Sequence, residues 1–284
     1  MSSIQTLHKI KHHLVALKFA SALEVLDQTV ARLESNEISP LEALENILNH
    51  EQGVRETRRV KTQLRTSRLI QHKTLDTFDF SFQPSLDKQR VMTLAELSFI
   101  ERHQAIHLLG PPGVGKTHLA IALGILAVKA GHGVYFTTLA DLITSLTKAD
   151  RENNLAARLR YVNRASLLII DEVGYLPIDK NGANLFFQLV NGRYEKGSTI
   201  LTSNRGFKEW GEIFGDNVIA AALLDRLLHR ANVVEIAGNS YRLREHADLI
   251  PESLKRGGVS EEKTIKRKAG RPRKTPAPVE IETQ

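Results

Sequence analysis

The stretch LLGPPGVGKTHLA, Leu108 to Ala120, decides the fold class. Within it, Gly110 to Thr117 fit the pattern G-x-x-x-x-G-K-[ST]. Glycines let backbone N–H groups curl around an anion with no side chain in the way. In this pattern Lys116 reaches the β- and γ-phosphates of a nucleotide, and the Thr117 hydroxyl goes to magnesium. The helix expected from Lys116 to about Lys129 aims its positive N-terminus at the same anion. The candidate nucleotide-binding set is therefore Gly110, Pro111, Pro112, Gly113, Val114, Gly115, Lys116, Thr117 and His118.

Around this loop, apolar runs alternate with helical segments. AIHLL, GVYFTT, SLLIID, STILTS and NVVEI read as short buried strands. Such alternation predicts an α/β domain with a parallel sheet and helices on both faces. LLIID is continuously apolar up to Asp171 and Glu172. Its C-terminal end is where open α/β sheets bind ligands. Alternation along the strand sends the two carboxylates to opposite sides. Asp171 is then a candidate for magnesium and Glu172 for activating a water. STILTSN ends in Ser203 and Asn204, and Asn204 can orient that water if this strand lies between the first and third. Ser-Asn is also common turn chemistry. In AAALLDRLLHR, Arg226 and Arg230 stand four apart on one face of an amphipathic helix. Such an arginine reaches a neighbouring subunit's nucleotide or forms a surface salt bridge.

The chain has 284 residues, a net charge of +7 and no cysteine. Disulfides and thiolate zinc sites are thereby excluded. No apolar run approaches the roughly 18 residues of a membrane span. The N-terminus is charged throughout, so a cytoplasmic protein is expected. The basic excess, with a pI near 9.6, points to a polyanionic partner, nucleic acid first.

Four parts are expected. Residues 1–73 read as helical, with Ser39, Pro40 and Glu42 forming a capped start to a third helix. Residues 74–103 are a connector, 104–245 the nucleotide-binding domain, and 246–284 a polar, disordered tail. On the third helix Arg55, Arg58, Lys61, Arg65 and Arg68 fall within an arc of roughly 140°. This is a stripe suited to tracking phosphates, or else a solvated helix face. In the tail, Gly270-Arg271-Pro272-Arg273 is similar to an AT-hook core, placing Arg271 and Arg273 along a narrow minor groove. A merely solubilising tail is the other reading. His8, His12 and His13 read as helix surface rather than a metal site.

In this order, the motifs resemble the AAA+ ATPases. More narrowly, LLGPPGVGKTHLAIALG, IIDEVGYLP, TSNRGFKEWGEIFGD and AAALLDRLLHR…SYRL resemble the IstB-like ATP-binding proteins over about residues 1–245. These are helper ATPases of insertion-sequence transposition, related to the DnaC helicase loader. The resemblance implies a five-stranded sheet of order 5-1-4-3-2, ATP with Mg2+, Asn204 as sensor and Arg226 as arginine finger. It further implies homo-oligomers formed with ATP on double-stranded DNA, which recruit or activate an integrase-type transposase. No C-terminal lid domain is expected, and Arg242 is a second-sensor candidate. A helicase loader, a P-loop kinase and an ATP-regulated DNA-architectural protein with negligible turnover are the rival readings.

Overall fold

The computed structural model describes residues 3–69 and 73–244. Three helices come first: α1 (Ser3–Ala16), α2 (Ala20–Glu34) and α3 (Pro40–Thr66). The start of α3 is fixed locally. Ser39 Oγ accepts from the Glu42 N–H at 3.3 Å, and the Glu42 carboxylate accepts from the Ser39 N–H at 2.7 Å. Glu51, buried in the middle of α3, accepts from the N–H groups of Ser21 and Ala22 at 2.8 and 2.9 Å. It thus caps the first turn of α2, whose own N-cap, Phe19, supplies no side-chain acceptor. The far half of α3 lays Val60 and Leu64 against the core of the following domain.

The third helix stops short of Arg68: it ends at Thr66, and Ser67 Oγ turns back onto the Leu64 carbonyl at 3.0 Å. Arg68 then takes a left-handed φ of 62°. This turn buries Leu69 and lets the Ser67 carbonyl accept from the Phe136 N–H at 3.1 Å.

Among the described residues, five strands form one parallel sheet: β1 (Ala105–Leu109), β2 (Val134–Thr138), β3 (Leu167–Val173), β4 (Ser198–Ser203) and β5 (Ala231–Glu235). Their order is β2-β3-β4-β1-β5, the order 5-1-4-3-2 read from the other edge. Helices α4 (Lys88–Ala95), α5 (Ser98–Glu101), α6 (Lys116–Lys129), α7 (Leu139–Arg151), α8 (Leu155–Asn163), α9 (Lys180–Arg193), α10 (Trp210–Phe214) and α11 (Asn217–Leu228) complete the domain.

The two faces of the sheet build two cores, which is why β3 reads as an unbroken apolar run from Leu167 to Ile170. Leu167, Ile169 and Ile200 pack with Leu119, Leu123 and Val91 on one face. Leu168, Ile170 and Leu201 pack with Leu142, Phe186 and Trp210 on the other. The result is a three-layer domain whose strand ends all point one way. Among the described residues, no helix is long and apolar enough to cross a membrane.

Candidate functional site

The loop between β1 and α6 wraps the C-terminal end of the sheet. Gly110, Gly113 and Gly115 have φ of 148°, 83° and 101°. Gly115, the N-cap of α6, has no alternative: a Cβ there would meet the Phe78 ring at 2.5 Å. Lys116 is 9% exposed, and its Nζ donates to the carbonyls of Gly110 and Pro111, both at 2.7 Å. Burial pushes the ammonium down to about 8; nearby Asp171 opposes this and Arg242 adds to it.

At the tip of β3, Thr117 Oγ1 donates to Asp171 Oδ1 at 2.9 Å. Asp171 is buried and accepts a second hydrogen bond from Thr202 Oγ1 on β4. Clustered carboxylate and hydroxyl oxygens are the donors that a magnesium ion takes. Simple alternation does not separate Asp171 from Glu172. The register of β3 against β4 shifts between Ile170 and Val173, adding one residue to β3. Glu172 takes a left-handed φ of 62°, a conformation disfavoured for a residue with a Cβ. The bulge leaves Asp171 buried and Glu172 exposed in the cavity beside the loop.

That cavity has a volume of about 300 Å³ and brings Lys116, Thr117, His118, Glu172 and Asn204 together. Asn204 Oδ1 is buried there with no hydrogen-bond partner among the described residues, an acceptor available to a bound molecule. The remaining walls were not legible as site residues. Thr77, Phe78 and Gln83 come from the segment before α4, and Tyr241 from the segment after β5. His118 contacts the Thr74 carbonyl at 2.7 Å and the Phe78 ring edge-on at 5.3 Å. The Tyr241 N–H donates to the Gly113 carbonyl at 3.0 Å. Arg242 also lines the cavity, so the structure brings this candidate to the loop. Thr202 did not stand out in the sequence, because β4 also carries the hydroxyls of Ser198, Thr199 and Ser203.

Arg226 is not brought to this cavity. It lies in the last turn of α11 and lines a hollow with Ala105 and Thr199, near the starts of β1 and β4. Its Nε donates to Asn191 Oδ1 at 3.0 Å, and its guanidinium stands 4.8 Å from the Phe187 ring centre. The neighbouring Leu227 carbonyl accepts from His107 Nε2 at 2.9 Å, tying this turn to β1. Arg230 does not share the helix face expected of it. The helix stops at Leu228, and Arg230 follows with a left-handed φ of 56°.

The basic stripe on α3 is shorter than its spacing suggested. Arg68 is past the end of the helix. Arg55 is engaged in the fold: it donates to Glu51 at 2.6 Å and to the Lys18 carbonyl at 2.7 Å, and covers the Phe19 ring. Arg58, Lys61 and Arg65 remain exposed on the helix. Arg271 and Arg273 lie outside the described residues. No group of three or more His, Asp or Glu side chains among the described residues is placed to hold a metal.

The profile of the family described as IstB-like ATP binding protein matches residues 12–248. An ATP-binding protein of insertion sequence IS21 from Pseudomonas aeruginosa is 48% identical over 239 residues, covering 84% of this chain and 90% of that one. One of insertion sequence IS232 from Bacillus thuringiensis subsp. berliner is 46% identical over 230 residues, covering 81% and 92%. Among solved structures, AMPPCP-bound DnaA from Aquifex aeolicus superposes with a TM-score of 0.52 at 23% identity, over 65% of this chain and 56% of that one. The structure of DnaI does so with a TM-score of 0.50 at 20% identity, over 60% and 95%. These likenesses show the P-loop AAA+ fold, and the sequence relatives go further: this chain belongs to the IstB-like ATP-binding protein family.

Proposed function

We propose that this protein is a magnesium-dependent ATPase that assembles with ATP as a homo-oligomer on double-stranded DNA and recruits or activates an integrase-type transposase. One observation carries the hydrolytic reading. Thr117, Asp171 and Thr202 form a hydrogen-bonded oxygen cluster, with Glu172 in the cavity beside it. The loop and Lys116 hold the phosphates, and Thr117 and Asp171 hold the metal, which supplies charge neutralisation on the phosphate oxygens. The Glu172 carboxylate takes a proton from the water that attacks the γ-phosphorus, and Asn204 orients that water. ATP and water become ADP and phosphate. Arg226 stabilises the developing charge on a neighbouring subunit's nucleotide, which accords with its distance from its own loop. The part played in transposition is supported by the insertion-sequence relatives. It implies a protein at work on DNA in the cytoplasm.

The test is phosphate release by the full chain with and without DNA and magnesium. Glu172→Gln should keep ATP binding and lose about 10²–10⁴-fold in turnover. Lys116→Ala should lose nucleotide affinity as well. Near-normal turnover in Glu172→Gln removes the general-base assignment. If wild type binds ATP and DNA but releases no phosphate, the ATP-regulated architectural reading replaces the enzyme.

A further inference from the structure

Gln83 is 2% exposed, yet it lines the same cavity as Lys116. Its Nε2 donates to the Asn239 carbonyl at 3.0 Å, which sets the orientation of the amide. Its Oε1 is buried and has no hydrogen-bond partner among the described residues. Gly238, with φ of 147°, makes room for that oxygen; a Cβ there would sit 2.5 Å from Oε1. The amide is thus held against the segment after β5, with an unused acceptor on a side chain that lines the cavity. Buried acceptors without a donor are costly, and in native proteins they are satisfied by a partner or a ligand. Phe78, Val114 and Tyr241 line the same cavity with apolar surface suited to the faces of a purine.

We propose that Gln83 is the base-reading residue of this site. Its Oε1 accepts an N–H from the exocyclic amine of adenine and so selects adenosine over guanosine triphosphates. The proposal rests on the ATP-site reading given above. Guanine carries a carbonyl oxygen where adenine carries that amine, and two acceptors facing each other repel. Guanine's own N–H groups call for a carboxylate. Of the two on the cavity wall, Glu172 stands at the tip of β3 beside the phosphate loop, and Asp79 is already committed. Its Oδ1 accepts from Ser81 Oγ and from the N–H groups of Ser81 and Phe82, and its Oδ2 lies 3.6 Å from Arg244.

The experiment is competition against a fluorescent ATP analogue on the full chain, with ATP, GTP and purine riboside triphosphate, which lacks the exocyclic amine. Wild type should bind ATP more tightly than either competitor, by on the order of tenfold. Gln83→Met keeps the side-chain length and removes the acceptor. It should bring ATP and purine riboside triphosphate to one affinity, a ratio taken within a single variant and so insensitive to a general loss of stability. Equal binding of these two by wild type overturns the proposal. So does a Gln83→Met protein that keeps the full difference, or a wild type that prefers GTP. ATP binding without base discrimination sinks this proposal alone, whereas a wild type that binds no nucleotide sinks the ATP-site reading with it.

Discussion

The backbone N–H of Glu172 donates to Thr202 Oγ1 at 3.1 Å, across the register shift that joins β3 to β4. The same hydroxyl donates onward to Asp171. One threonine therefore orients both carboxylates, one through its backbone and one through its side chain. Thr202→Val keeps the shape but leaves the Glu172 N–H unpaired and takes a donor from Asp171. Outer-shell losses of this kind typically lower metal affinity or activity by about 10–100-fold. Phosphate release should fall by that order and need more magnesium for half-saturation, while Thr202→Ser stays near wild type. A magnesium titration of the two variants decides it; a normal curve for Thr202→Val would show that the hydroxyl only fills space.

The Lys116 ammonium, pushed down to about 8 by burial, makes nucleotide binding depend on pH. A lysine in the unfolded chain titrates near about 10.4. Between these values the unfolded chain holds the proton and the folded chain does not, so this group adds stability as pH rises through the window. Binding runs the other way: a neutral amine attracts no phosphate, and affinity should fall as pH rises above about 8. At about pH 8.5, binding should take up a fraction of a proton per site. Calorimetry in buffers of different ionisation heat measures that uptake. Lys116→Arg, charged throughout, should show none; equal proton uptake by both proteins would assign it to another group.

Arg226 sits in the hollow near the starts of β1 and β4, so any role in hydrolysis has to be played on a neighbour's nucleotide. Arg226→Ala and Lys116→Ala proteins should each be nearly inactive alone. Mixed, they should recover part of the activity, because a Lys116→Ala subunit can offer its Arg226 to an intact site next to it. If mixed oligomers form, as shown by differential tagging, and no activity returns, the action in trans loses its support.

DNA contact should divide between the helical region and the tail. Each arginine that neutralises a phosphate contributes about 0.9 to the slope of log affinity against log salt. Arg58→Ala with Arg65→Ala should flatten that slope and leave thermal stability unchanged, since both side chains are exposed. Arg55→Ala should instead lower stability, because it removes the clamp on Glu51 and the Lys18 carbonyl. Arg271→Ala with Arg273→Ala should flatten the slope by up to about 2 and reduce any preference for A·T-rich duplexes. Salt-titrated binding to A·T-rich and G·C-rich duplexes reads the two double variants, and thermal unfolding reads Arg55→Ala. Unchanged slopes for both double variants would move the DNA surface elsewhere.

What the sequence determined by itself rests on short-range physics. The anion loop is legible because its glycines, lysine and threonine act within eight consecutive residues. The central strand β3 is legible because burial on both faces leaves Leu167 to Ile170 apolar throughout, and the start of α3 because Ser39 and Glu42 cap it three residues apart. Other features were settled only when distant segments met. Thr202 joins Glu172 from 30 residues away, and Gln83 meets Asn239 from 156 residues away. The bulge that exposes Glu172 comes from the register between two strands, which no pattern within β3 encodes. Arg55 left the basic stripe because a carboxylate and a carbonyl were folded against it, and Arg68 because the chain turned to bury Leu69. Periodicity reports which side of a segment meets the core. Which polar atoms then find each other depends on strand register and on where the chain crosses itself, and those are properties of the whole packed sheet.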